Sequence, residues 1–213
     1  MKIKLICILS MLSLIVIVNA CDSNKCDCIK SLTQQQNSDP KLYSFQNSWS
    51  YHIGNFQLTN DEAYLDSAII LIDSALCIEP FIFSAYQYKS MALYWKKEYY
   101  DVIKVVDTAL SMNYKNPDLI FLKARMYDIV GETEKADATL AIAEKTYTQW
   151  TNCFPDSIAL ITSKIGCTAY IHGKSAAIDE LLQTMKKHPD NPILEGFRSE
   201  IENQFEDSWY YRK

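Results

Sequence analysis

Ala68, Val102 and Ala136 stand thirty-four positions apart, and the same interval separates Ile72, Val106 and Leu140, and Ala75, Ala109 and Ala143. Three registers sharing one period constrain this chain more than any other feature. A period of roughly 20–50 residues marks a unit that buries its apolar face only by stacking on copies of itself. Within a unit the registers are offset by four and then three positions, the step of one helical face. The repeated object is therefore helical. Five glycines and six prolines in 213 residues leave too few tight turns for an all-β fold.

The units read as helix pairs. Leu42, Phe45, Trp49 and Ile53 form one stripe from Pro40 onward, which Gly54 to Asn60 is expected to break. Asp61 then caps a helix carrying Leu65, Ala68, Ile69, Ile72, Ala75 and Leu76, which ends before Pro80. A second pair runs from Phe83 through Tyr86, Met91 and Leu93 to Trp95, turns at Lys96-Lys97-Glu98, and returns through Tyr99, Val102, Val106, Ala109 and Leu110 to Asn113. A third opens at Pro117-Asp118, faces Ile120, Ala124 and Tyr127 inward, turns at Gly131, and returns through Ala136, Leu140 and Ala143.

The fourth unit departs from the period. Ala177, Leu181 and Thr184 continue the registers, but Ala177 follows Ala136 by seven positions more than the period allows. The excess is about two helical turns. It falls near Tyr147 to Pro155, as a longer helix or a bulge carrying Trp150 and Phe154. Thr184 stands where earlier units place alanine. After Pro192, Ile193, Phe197, Ile201 and Phe205 recur at every fourth position, the pattern of one amphipathic helix closing the end of a stack.

Two stretches carry a family resemblance. Ala136-x6-Ala143 after Gly131, with Ala124 and Tyr127 ahead, and Leu65-Asp66-Ser67-Ala68-x6-Ala75-Leu76-x3-Pro80 both resemble tetratricopeptide repeats, over roughly Trp49 to Asn191. The resemblance implies an all-α fold: a right-handed α-α superhelix of about four helix hairpins over residues 40–191, with a capping helix and tail over 192–213. It also implies that the first helix of each pair lines a concave surface. The lining would come from Ser84, Gln87, Met91 and Tyr94, from Asp118, Phe121, Arg125 and Asp128, and from Ala159, Thr162 and Gly166. Gln87, Met91, Tyr94, Phe121, Arg125 and Asp128 are the expected partner-binding residues. Met91, Tyr94 and Phe121 would be apolar anchors and Arg125 a charged contact, side-chain types enriched at interfaces. The alternative is that these residues pack between units and leave the groove polar. Chaperone-binding members hold a C-terminal carboxylate with two lysines and two asparagines on these helices, and this chain offers Gln87, Met91, Phe121 and Arg125 there. Lys89 and Lys123 share the repeat interval beside the inward stripe. They are expected to be structural, with stems over apolar surface and amines in solvent.

The N-terminus gives an address. Lys2 and Lys4 precede an apolar run from Leu5 to Val18, shorter than a membrane-spanning helix requires, and a small residue precedes a cysteine. The ending Val18-Asn19-Ala20-Cys21 resembles the bacterial lipobox. By that resemblance residues 1–20 are a lipoprotein signal peptide and Cys21 carries the lipid. Residues 21–39, rich in Ser, Gln, Asn and Asp, then read as a flexible tether with Cys26 and Cys28 as exposed thiols. Processing would remove two of the 21 basic residues and leave 19 against 26 acidic ones, a formal balance of −7. So acidic a chain is not expected to bind nucleic acid.

No reacting constellation emerges. His52, His172 and His188 stand in no nucleophile or metal-helix motif, and there is no glycine-rich phosphate loop. Cys153 and Cys167 with His172 lack a fourth zinc ligand and a CxxC pair. With a helix between them the two cysteines would lie about 15 Å apart, beyond disulfide reach. Cys77 and Cys167 are expected to be buried thiols. The reading is a non-enzyme without catalytic residues, metal or cofactor. It would be a lipid-anchored protein of the bacterial envelope, at the outer membrane, whose helical array binds a protein or peptide as a scaffold or adaptor. The alternatives are an immunity-type lipoprotein that neutralises a toxin and a small-ligand or metal carrier.

Overall fold

The computed structural model describes residues 40–112, 115–208 and 210–212. The leader and the tether, with Cys21, Cys26 and Cys28, lie outside the described residues, as does Asn113. Among the described residues there are nine α-helices and no strand, an all-α fold. They are α1 (Pro40–Thr59), α2 (Ala63–Ile78), α3 (Phe83–Trp95), α4 (Tyr99–Ser111), α5 (Pro117–Ile129), α6 (Thr133–Cys153), α7 (Ile158–His172), α8 (Lys174–Lys187) and α9 (Pro192–Gln204), followed by a 3-10 turn, Phe205–Asp207. The chain divides after Thr139 into two compact units.

In the unit ending at Thr139, each helix from α1 to α5 packs on the next. The repeat registers lie at the centre: Ala68, Ile72, Ala75, Val102, Val106, Ala109 and Ala136 are all fully buried. A methyl side chain at the Ala75 and Ala109 positions lets helix backbones approach closely. Turn chemistry repeats as well. The amide of Glu98 donates to Leu93 O (3.0 Å) around Lys97 at φ 63°, and the amide of Glu132 donates to Tyr127 O (2.8 Å) around Gly131 at φ 82°. The same left-handed helix ending thus recurs one repeat later. Asn116 starts α5 by accepting from the amides of Asp118 and Leu119, with Pro117 in the first turn where a missing N–H costs nothing. Asp61 Oδ1 accepts from the amide of Ala63 at 3.0 Å, although the N-cap position itself is Glu62, one residue later than expected.

Two expectations change here. α1 does not break at Gly54 but continues to Thr59, and the chain turns at Asn60, with φ 60°. Trp49, Ile53 and Phe56 keep one buried stripe across the glycine. Their burial outweighs the ~1 kcal/mol that glycine costs inside a helix. Cys77 is exposed rather than buried.

In the unit from Leu140 onward, α7, α8 and α9 pack on one another. Leu140 and Ala143 hold their registers, and Ala177 and Leu181 follow in α8, all buried. The seven extra positions lengthen α6 to 21 residues, and Tyr147, Trp150 and Phe154 prolong its buried stripe. Thr184 is half-buried. In α9 the inner positions are Leu194, Phe197 and Ile201, whereas Ile193 is 59% exposed. A spacing of four overshoots the 3.6-residue turn, so a 3–4 step from Leu194 tracks the buried face better.

Candidate functional site

The expected lining residues of α3 and α5 divide by depth. Met91, Phe121 and Arg125 are buried, and Ser84, Gln87, Tyr94, Asp118 and Asp128 are half-buried. The Arg125 guanidinium lies 6.0 Å from the Phe121 ring centroid, a cation–π contact between residues one helical turn apart. On α3 the Ser90 hydroxyl is fully buried and has no hydrogen-bond partner. The Tyr94 ring lies 6.1 Å from that of Tyr99 across the turn between α3 and α4. The half-buried members are the ones with surface to offer, while Met91, Phe121 and Arg125 are buried.

Charge pairing between helices follows the repeat. Lys89 Nζ reaches Asp73 Oδ1 at 2.5 Å, and Lys123 Nζ reaches Asp107 Oδ1 at 2.5 Å. The two lysines are one repeat apart and so are the two aspartates, so one ion pair occurs twice, from α3 to α2 and from α5 to α4. The amines are therefore paired rather than left in solvent. The signal was present in the sequence, since Asp73 and Asp107 share the lysines' period. Lys164 occupies the corresponding place on α7, displaced by the seven extra positions. Ala141 replaces the aspartate, and Lys164 turns instead to Glu180 of α8, whose second oxygen accepts from Thr168 Oγ1 at 2.8 Å. Lys96 lies between Asp66 (2.7 Å) and Glu98 (2.8 Å), and the hydrogen bonds it donates to Asp66 first and then Glu98 push its pKa well above the ordinary lysine value.

The α7 positions differ in kind. Ala159 and Thr162 are half-buried, but Gly166 is buried under the ring of Tyr210, from the tail beyond α9. His172 Nε2 lies 2.7 Å from Glu144 Oε1 at an exposed site. Among the described residues no group of three or more His, Cys, Asp or Glu side chains could hold a metal ion. Cys153 is disulfide-bonded, while Cys167 is a buried thiol. Among the described residues no helix is long and apolar enough to cross a membrane. No protein-family model, curated protein or solved structure matches the chain.

Proposed function

We propose that this protein is a lipid-anchored envelope protein whose tetratricopeptide-like array holds another protein or peptide, as a scaffold or adaptor. The observation that carries the reading is the burial of every member of the three repeat registers, from Ala68 to Ala143, the packing such an array requires. The likeness of residues 18–21 to a lipobox supports the address. Gln87, Tyr94 and Asp128 form the accessible rim of the groove, and Met91, Phe121 and Arg125 are its floor. Residues that fill the floor preorganise the rim, and the rim meets the partner.

A photo-crosslinking amino acid at Gln87 or Tyr94, with another at exposed Lys104 as the control, tests this in cells. The expected result is one discrete adduct from the first two sites and none from the third. Equal adducts from all three, or none from any, would refute groove binding. Labelled palmitate entering the wild-type chain but not the Cys21→Ser variant would support the anchor, and an unlabelled wild-type chain would remove it.

A further inference from the structure

The tail after α9 makes three successive ring contacts in the unit from Leu140 onward. Tyr210 is buried over Gly166, where a Cβ would stand 2.6 Å from its Cδ1 and 3.1 Å from its Cζ, and closer still to its Cε1. No residue other than glycine leaves that space, so the notch and the ring are matched. Tyr210 also meets Phe197 of α9 edge to face, with centroids 5.4 Å apart. It joins the apolar cluster of Ile161, Ile165, Leu194 and Ile201. Arg212 places its guanidinium 5.9 Å from the centroid of Tyr170, one turn beyond Gly166 on α7. Between them Tyr211 meets Phe205 edge to face, with centroids 5.6 Å apart. Local hydrogen bonds shape the approach: Tyr210 N donates to Ser208 Oγ (3.2 Å), and Ser208 Oγ donates to Phe205 O (2.6 Å).

This is the geometry of a bound peptide. An aromatic side chain enters a slot floored by glycine and walled by Phe197. Two positions later a guanidinium lies over a tyrosine ring, and the residue between them meets Phe205. Aromatic and arginine anchors in desolvated pockets are the groups that dominate peptide and protein recognition. We propose that the α7 face around Gly166 and Tyr170 is a recognition slot for a Tyr-x-Arg sequence, which the chain's own Tyr210–Arg212 occupies in cis. A partner bearing that sequence displaces the tail. A covalently attached tail acts as an effective concentration of about millimolar, so a free peptide at micromolar concentration competes only when the tail is weakened or removed. The described contacts of the slot lie on α7, α9 and the tail, and it operates whether or not α3 and α5 carry a partner.

The test uses the mature chain, the chain ending at Ser208, and a fluorescent peptide with the sequence of residues 208–213. The truncated chain should bind the peptide about tenfold or more tightly than the full chain does, as read by anisotropy. Tyr210→Ala in the otherwise full chain should bind it as well as the truncation does. Tyr210→Ala in the peptide should abolish binding, and Arg212→Ala should weaken it several-fold. Gly166→Ala in the truncated chain, with an unchanged circular-dichroism spectrum, should also abolish binding. Loss of the α7–α9 fold on truncation would overturn the inference, because the tail would then be part of the core. So would a folded truncated chain that ignores the peptide, or a full chain that binds it equally well.

Discussion

The two units solve one problem differently. In the residues before Leu140 the repeat period is kept by burial, by turn geometry and by ion pairs alike. In the residues from Leu140 onward only the buried registers persist. The turn after α7 passes through Gly173 at φ 85° and ψ 176°, an extended ψ rather than a helical one, the aspartate partner is gone, alanine becomes Thr184, and a tail residue covers α7. Burial is thus the part of the repeat that tolerates least, and everything around it is replaceable. The reason is energetic. A wrong residue in a close helix contact costs several times what a half-exposed ion pair contributes.

Thiol chemistry gives the widest separation between the units. Cys77, exposed on α2, should react with a maleimide in the native protein within seconds, whereas buried Cys167 should wait for unfolding. For a domain of ordinary stability the two rates should differ by ~1000-fold or more, and Cys153 should label only after reduction. Mass spectrometry of the labelled peptides reads all three. Comparable rates at Cys77 and Cys167 would mean that α7 is not packed as described.

Substitution at one register position sharpens the contrast. Ala109→Leu inserts a large side chain where none has room and should lower stability by ~1–3 kcal/mol in chemical denaturation. Thr184 holds the equivalent position of the last unit, half-buried, with its hydroxyl donating to Glu180 O at 3.0 Å. Thr184→Ala restores the repeat residue and removes that back-bond, so it should stabilise by a few tenths of a kcal/mol. Equal losses at the two positions would contradict the difference in packing.

How far the sequence revealed all this follows from what kind of force sets each feature. The registers Ala68, Ile72, Ala75 and their repeats were legible because close packing leaves a periodic trace. The lengthened α6 was legible as an arithmetic excess, and Tyr147, Trp150 and Phe154 show how it was absorbed. Gly54 misled because a lone glycine is only a weak breaker when the flanking stripe is strong. Ile193 misled because a step of four imitates a face over two turns and then drifts off it. The depth of Met91, Phe121 and Arg125 was not legible, since residues facing a groove and residues beneath it share one spacing. The Tyr210 slot was invisible for a different reason. A glycine in mid-helix and a tyrosine in the distant tail carry no shared period, and only coordinates bring them together.

The lysine pairs offer a finer comparison. Lys123 and Asp107 have side chains 19% and 50% exposed, and Lys164 and Glu180 are 23% and 27% exposed. The second carboxylate is better shielded and has a second donor in Thr168. A double-mutant cycle should therefore give a coupling near ~0.5 kcal/mol for the first pair and ~1 kcal/mol for the second. The reverse order would mean that solvent shielding does not set their strength.

The smallest effect lies in the capping helix and carries a sign. Burial of Glu200 on α9 raises its carboxyl pKa above the ordinary value of 4.5. An acid with a raised pKa in the folded state binds its proton more tightly there than in the unfolded chain. Stability from this group is therefore fully present below the unfolded pKa and is lost as pH rises through the folded one. At neutral pH the folded protein bears the cost of a partly desolvated carboxylate. Glu200→Gln keeps the shape and removes the charge, so it should raise the unfolding midpoint slightly at pH 7. The gain should shrink to nothing below about pH 4, where the wild-type carboxyl is protonated in both states. Thermal unfolding of the two proteins from about pH 3.5 to 7 measures the difference. A gain that is constant across that range would assign the effect to packing, and a loss at pH 7 would show that the carboxylate has a favourable partner.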